Sequence, residues 1–217
     1  MEKLFRKRVK KLEQLDSDIE KYLYASSILR SLLQTGLVVC FECADRFIPS
    51  GELDVSNYKS RMGQPSDGLP VEALDFLIPH LRHFLEPKFA DGWFEKLDFG
   101  KNLTKELNCW VEFRNKTTGH GHLDQSDAKS WSGKVHSIIL RLINCFEYIL
   151  PKITAEDQIL SSIYDNLTIK TMLTHDEQPF IITKISSKNG LWKMAVQTLC
   201  YEKKQTLVID LPPENIF

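Results

Sequence analysis

The longest regular pattern in the chain lies in residues 12–47, which read LEQLDSDIEKYLYASSILRSLLQTGLVVCFECADRF. Apolar side chains recur there at intervals of three and four, and they are Leu12, Leu15, Ile19, Tyr22, Leu23, Leu29, Leu33, Leu37, Cys40, Ala44 and Phe47. This spacing places side chains on one face of an α-helix. The stretch therefore predicts one long helix, or two nearly collinear helices with Asp16 or Ser17 capping the second.

The same spacing predicts further helices downstream. Pro70 suits the first turn of one of them, whereas Gly119 and Pro151 each end another. A stretch rich in proline and glycine, at 49–70, predicts a loop before them. The predicted helices cover residues 70–84, 103–118, 126–150 and 154–164.

The periodicity changes after residue 173. Three short segments, 179–185, 191–199 and 206–211, are rich in β-branched and aromatic residues, and Asn189-Gly190 is a strong hairpin signal. The predicted fold class is therefore mainly α: an antiparallel helical bundle over residues 1–165, followed by a small C-terminal antiparallel β meander in residues 166–217. Because three strands bury little surface alone, the meander either packs on the bundle or begins a further domain.

The charge balance excludes a global attraction to nucleic acid. The 217 residues contain 28 Lys and Arg against 29 Asp and Glu, a formal net charge of −1. Any RNA binding must then come from a local patch. The one clear basic run lies at the N-terminus and comprises Lys3, Arg6, Lys7, Arg8, Lys10 and Lys11. Such a run is more often a solvated helix face than a nucleic-acid contact.

Targeting signals and membrane spans are not expected. The apolar stretches around Thr35–Phe41 and Ser137–Leu150 are too short or too interrupted to cross a bilayer, which takes about 20 residues. The N-terminus lacks the apolar core and cleavage site of a secretory signal. The sequence thus predicts a cytoplasmic protein without a membrane partner.

The cysteines are expected to be reduced thiols. There are five, an odd number, spread widely along the chain. Cys40 and Cys43 form a C-x-x-C pair, which is typical of redox and zinc sites, but they fall on the apolar pattern and lack a second Cys/His pair at finger spacing. We expect both to pack as small core residues.

The densest polar cluster lies where the helix at 103–118 is predicted to end, in residues 110–122, WVEFRNKTTGHGH. Gly119 and Gly121 allow the backbone to turn sharply, so that His120 can approach Arg114. Such a pair suits metal-free RNA cleavage: a histidine transfers the proton of the ribose 2′-hydroxyl, and a guanidinium stabilises the pentacoordinate phosphorane. One histidine supplies only one proton transfer, and a dimer would supply two.

This cluster resembles the Arg-x(4–6)-His motif of the HEPN superfamily, in the Arg114-Asn115-x-x-x-Gly119-His120-Gly121 form. Over residues 12–150 the resemblance implies a dimeric, metal-independent endoribonuclease without a cofactor, of the kind found in toxin–antitoxin, phage-defence and CRISPR-linked systems. It implies that Arg114 contacts the scissile phosphate, His120 is the acid/base and Asn115 orients one of them. A partner protein such as an antitoxin, a sensor or a defence-complex subunit is also implied.

One departure from the family pattern concerns control of the enzyme. In the toxin branch regulated by a nucleotidyltransferase, a tyrosine follows the histidine by two positions, and here that position is His122. Regulation by tyrosine modification is therefore not supported. The expected RNA contacts, taken from the cluster and the basic run, are Lys116, His122, Arg6, Lys7 and Arg8.

Other interpretations of the same residues remain open. Arg114 and Asn115 could simply end a helix, because arginine is favourable near a helix C-terminus. A zinc site from His120, His122 and Cys109 would lack a fourth ligand. Many superfamily members are non-catalytic interaction domains, so a regulatory subunit of a multi-protein defence complex is the main alternative, and a nucleotide sensor is a weaker one.

Overall fold

The computed structural model describes residues 2–61, 66–84, 89–96, 102–118, 121–146, 174–175, 178–188, 191–198 and 204–209. These residues form six α-helices and a short 3-10 turn, followed by four strands. The mainly α class is confirmed. The helices are α1 (Glu2–Glu13), α2 (Asp18–Phe47), α3 (Ser56–Arg61), α4 (Gly68–Phe84), α5 (Leu103–Lys116) and α6 (Gln125–Cys145), and the 3-10 turn is Asp91–Trp93.

One long helix is confirmed for residues 18–47, which form α2. The collinear alternative is wrong, because α1 ends at Glu13 and forms a hairpin with α2. The Ser17 side chain caps α2 by accepting a hydrogen bond from the Glu20 N–H, as predicted. Arg8 donates to the hydroxyl of Ser27 at 3.3 Å, which places α1 alongside α2. The reason is that α1 has its own apolar face, with Phe5 buried against the core, and that face needs a partner.

Helix α2 is the centre of the bundle and contacts α1, α4 and α6. Its inner face is lined by fully buried side chains such as Ile28, Leu29 and Leu32. The segment Asp18–Phe41, with a mean hydropathy of 1.3, is long and apolar enough to cross a membrane, which the inspection of single apolar runs missed. Within the protein 71 % of its most apolar window is buried, as in the core helix of a soluble bundle. The cytoplasmic location stays a prediction.

Helix α3 lies inside the stretch predicted to be a loop, so that prediction is wrong for these residues. The Asp54 carboxylate accepts hydrogen bonds from the N–H and the hydroxyl of Ser56, at 2.9 and 2.6 Å. Both bonds lower the pKa of Asp54, and the bond from the Ser56 hydroxyl has the larger effect. The Tyr58 ring packs against Phe76 of α4, with centroids 5.3 Å apart. A local cap and one aromatic contact therefore suffice for a helix of six residues.

Helix α6 ends at Cys145, earlier than the predicted residue 150, and Phe146 forms its C-cap. The Phe146 ring is fully buried between the Trp93 indole, on which it stacks, and the backbone of Gly36 in α2. The Phe146 side chain thus fills the space beside Gly36, while its N–H still donates to the Leu142 carbonyl at 2.8 Å. Residues 147–150 and the predicted helix at 154–164 lie outside the described residues.

Gly36→Ala is expected to destabilise the protein although alanine favours helix. A Cβ at this position would lie 2.6 Å from Cε2 of Phe146, so the ring must move. We expect the free energy of unfolding to fall by about 1–3 kcal/mol, the cost of overpacking. Gly133→Ala in α6 is the matched control, because its Cβ would meet nothing within 4 Å, and it should stabilise by about 0.5–1 kcal/mol. Urea unfolding followed by circular dichroism measures both; stabilisation by Gly36→Ala would contradict the packing argument.

The strands are β1 (Thr174–His175), β2 (Gln178–Lys188), β3 (Leu191–Thr198) and β4 (Lys204–Ile209). Each pairs antiparallel with its neighbour in sequence, in the order β1-β2-β3-β4. The β2–β3 register shifts by one residue between Ile182 and Lys184. The Asn189-Gly190 turn lies outside the described residues.

Candidate active site at the end of α5

Arg114 lies on the last turn of α5, where the sequence places it. The Asn102 side chain caps the start of this helix by accepting from the Lys105 N–H at 3.0 Å. Trp110, one turn before Arg114, is fully buried, and residues four apart share a helix face. The Arg114 side chain therefore points along the edge of the core and is 29 % exposed.

The partner of Arg114 is Asp67, the residue just before α4. Its carboxylate is only 4 % exposed and forms a close ion pair with Nη1 of Arg114. The same carboxylate accepts two hydrogen bonds from Arg30 of α2, from Nε at 2.6 Å and from Nη2 at 3.2 Å. Hydrogen bonds between charged groups in this bidentate form are strong and fix geometry. Asp67 thus holds two arginines from different helices in one cluster.

The cluster of Arg30, Asp67 and Arg114 carries one uncompensated positive charge. Two guanidinium groups face a single carboxylate, and arginine stays protonated at all ordinary pH values. The two arginine side chains are about a third exposed, at 34 % and 29 %, whereas the carboxylate beneath them is not. A solvated positive surface over a buried anion therefore results.

Neither Arg30 nor Asp67 was predicted as a site residue. A signal for Arg30 existed, because it is the only charged residue between Lys21 and Glu42 in the sequence. Nothing in the sequence distinguished Asp67 from the other acidic residues in its polar stretch. Their pairing links residues 37 positions apart, which periodicity does not report.

Buried polar groups from α2 surround the cluster on its inner side. Tyr22 is fully buried, and burial raises the pKa of its phenol, while the Ser26 side chain and then the charge of Arg114 act in the opposite direction. Ser26 accepts a hydrogen bond from the Trp110 indole at 3.4 Å. Thr118 donates to the Arg114 carbonyl at 3.2 Å, which closes the end of α5. These groups hold the backbone that carries Arg114.

The segment after α5 turns sharply before α6. The Thr117 N–H and hydroxyl both donate to the Phe113 carbonyl, at 3.0 and 2.8 Å, and the His122 N–H donates to the Thr117 carbonyl at 3.0 Å. Gly121 has φ +76°, a left-handed conformation that favours glycine. The left-handed φ of Gly121 agrees with the backbone freedom expected of this glycine. Gly119 and His120 lie outside the described residues, and the approach of His120 to Arg114 stays a prediction.

Helix α6 begins immediately after this turn. The Asp124 carboxylate caps it by accepting from the Asp127 N–H at 2.8 Å, and it also accepts from the Ser126 hydroxyl at 3.0 Å. Both bonds lower the pKa of Asp124, and the bond from the Asp127 N–H has the larger effect. Both sides of the turn are thus fixed by capping bonds.

The other predicted site residues fall into two groups. Asn115, Lys116 and His122 are exposed around the turn, and Arg6 and Lys7 are exposed on α1. Arg8 is 9 % exposed, with its guanidinium 5.5 Å from the Tyr24 ring centroid and bonded to Ser27. In this structure the Arg8 side chain packs α1 against α2, and an RNA contact by Arg8 stays a prediction.

The cysteine pair of α2 is buried, as predicted for core thiols. Burial raises the pKa of Cys40 well above its usual range, which keeps the thiol protonated, and Cys43 is also buried. Cys109 is exposed on α5. In the described part of the chain, no three His, Cys, Asp or Glu side chains are arranged to hold a metal ion.

A surface groove of about 450 Å³ lies beside the cluster, between α3, α4 and α5. Its charged lining consists of Arg61, Glu72 and Asp75. Arg61 is paired with Glu72 at 3.2 Å, so the Asp75 charge is left and gives the groove a net negative lining. A phosphate would be repelled there, and the solvated guanidinium surface is the more suitable anion site.

Comparison with known proteins finds no matching family model, no similar curated protein and no similar solved structure.

Proposed function

We propose that this protein is a metal-independent endoribonuclease of the HEPN type, active as a homodimer in a bacterial toxin–antitoxin or phage-defence system. The observation that supports it best is Arg114, which is held by a buried carboxylate at the end of a helix and directly precedes a tight turn. On this proposal residues 1–165 form a HEPN-like bundle and residues 166–217 a β appendage.

The chemistry follows from the side chains of the motif. The ribose 2′-hydroxyl attacks the adjacent phosphorus, and the 5′-oxygen of the next nucleotide leaves. His120 transfers a proton to or from these oxygens, and a second copy from the partner subunit performs the other transfer. Arg114 stabilises the extra negative charge of the transition state. Asn115 orients either Arg114 or His120. The products are a 2′,3′-cyclic phosphate and a free 5′-hydroxyl.

The RNA path follows from the exposed cationic residues. Lys116 and His122 are exposed in or beside the turn, and on this proposal they contact phosphates next to the scissile one. Arg6 and Lys7 on α1 would contact a more distant part of the strand. These contacts supply the local attraction that the net charge of −1 does not.

The alternative is a non-catalytic HEPN-like module that assembles with other defence proteins. One observation favours it: Arg114 is engaged in an ion pair with an almost fully buried carboxylate, which is also what a purely structural arginine would do. Under this alternative, motif substitutions change stability or assembly and no RNA is cleaved.

His120→Ala is expected to reduce RNA cleavage by about 10²–10⁴-fold, the usual contribution of a positioned acid/base. The purified protein is incubated with mixed RNA in EDTA, and the fragments are tested for 2′,3′-cyclic phosphate ends. The matched control is His83→Ala, an exposed histidine on α4, about 24 Å along that helix from Asp67.

The outcomes separate the two proposals. Cleavage by the wild type and by His83→Ala, with none by a folded His120→Ala, supports the ribonuclease. Equal cleavage by all three would mean that a contaminating or unrelated nuclease activity is present, and this would overturn it. No cleavage by folded, dimeric wild type in the presence of a candidate partner that it binds would favour the interaction module.

A further inference from the structure

We propose that Arg30 and Arg114 together form one phosphodiester-binding site, with Asp67 as the positioning residue that holds both guanidinium groups. The inference rests on the proposed function for its substrate class, RNA. It adds a second arginine, from a different helix and outside the motif, to the group that meets the phosphate.

The three side chains of the cluster differ in how far they are exposed to solvent. Asp67 is 4 % exposed, whereas the side chains of Arg30 and Arg114 are 34 % and 29 % exposed. The carboxylate is therefore the most buried of the three groups, and part of each arginine side chain is accessible to solvent. A carboxylate that blocked a phosphate site would have to lie on the solvent side.

The two guanidinium groups have more N–H donors than the Asp67 carboxylate uses. A guanidinium has five N–H donors, and the carboxylate takes two from Arg30, on Nε and Nη2. Its closest contact with Arg114 is through Nη1. Within the described residues each arginine thus keeps N–H groups for a further ligand, and planar guanidinium edges match the paired oxygens of a phosphodiester.

The net charge of the cluster also suits a phosphodiester. In the cluster of Arg30, Asp67 and Arg114, two positive charges face one negative charge. One phosphodiester carries one negative charge. Binding a phosphate here completes the neutralisation, and the Asp67 carboxylate limits the repulsion between the two arginines when the site is empty. The neighbouring groove, lined by Glu72 and Asp75, offers no such balance.

Arg30→Gln is the direct test, with Arg61→Gln as its matched control. Arg61 is also paired with a carboxylate, Glu72, and its side chain is 37 % exposed, so both variants lose one charge and one ion pair. The probe is a short single-stranded 2′-O-methyl RNA, which lacks the attacking 2′-hydroxyl and stays intact. Its affinity is measured by fluorescence anisotropy at several salt concentrations.

We expect Arg30→Gln to weaken binding about 10-fold or more, as the loss of a charge-assisted phosphate contact does. The slope of log affinity against log salt should also fall by about 0.7, the value for one phosphate contact on a single strand. Arg61→Gln should change the affinity less than about twofold. Failure of the wild type to bind this RNA, or equal effects of the two variants, would overturn the inference.

Two further comparisons keep the test decisive. Should Arg30→Gln not fold, Arg30→Lys keeps the charge but loses the bidentate geometry, so we expect about threefold weaker binding, and unchanged binding would count against the site. Arg30-dependent binding without cleavage of ordinary RNA would retain this inference and refute the ribonuclease. Cleavage together with equal binding by Arg30→Gln and Arg61→Gln would retain the ribonuclease and refute this inference.

Discussion

Asp67→Ala is expected to lower the free energy of unfolding by about 2–4 kcal/mol. Removing the carboxylate leaves two guanidinium groups facing each other with no anion between them, and breaking a buried ion pair in this way costs about 3–5 kcal/mol. Because both arginine side chains remain about a third exposed, water offsets part of the cost. Urea unfolding followed by circular dichroism measures the change.

The control for this experiment is Glu72→Ala. Glu72 also pairs with an arginine, Arg61, but its side chain is 51 % exposed, so we expect a change within about 1 kcal/mol. The double variant Asp67→Ala with Arg30→Gln should recover part of the loss, because the repulsion between the two arginines is removed. Equal effects of Asp67→Ala and Glu72→Ala would show that burial of the carboxylate does not matter.

Trp93→Ala is expected to destabilise the protein by about 3–5 kcal/mol, the cost of removing a large aromatic side chain from a core. Trp93 is fully buried, and its indole donates to Asp75 at 3.0 Å. It also stacks on Phe146, with ring centroids 6.3 Å apart. Its removal leaves a cavity and takes the stacking partner from Phe146 at the end of α6, whereas Asp75 keeps its hydrogen bond from the Thr104 hydroxyl at 2.6 Å. The same denaturation measurement reports the loss.

The matched control is Trp131→Ala in α6. The Trp131 ring stacks on Phe113 at 4.5 Å and lies under the Lys134 ammonium at 4.8 Å, but it is only partly buried. Aromatic and cation–π contacts of this kind contribute about 0.5–1.5 kcal/mol each, so we expect a loss of about 1–2 kcal/mol. A loss for Trp93→Ala no larger than this would contradict its place in the core.

Local patterns predicted most of the helices correctly. The spacing of apolar residues located α4, α5 and α6 to within a few residues at their starts, because a helix face repeats every three to four positions whatever surrounds it. Capping was equally readable, since Ser17 bonds to a group three residues away. The packing of Phe146 on Gly36 and Trp93 was not predicted, because these residues are distant in sequence.

The candidate site divides along the same line. Local sequence was enough to predict that Arg114 ends a helix, that a glycine turn follows it and that polar residues gather there, because helix periodicity and the φ preference of glycine are local properties. Three facts came from the packing of the helices alone: Asp67 contacts both Arg30 and Arg114, α1 folds back on α2, and Arg8 is buried. Those facts depend on which helix faces pack together, and packing joins residues tens of positions apart that no local pattern connects.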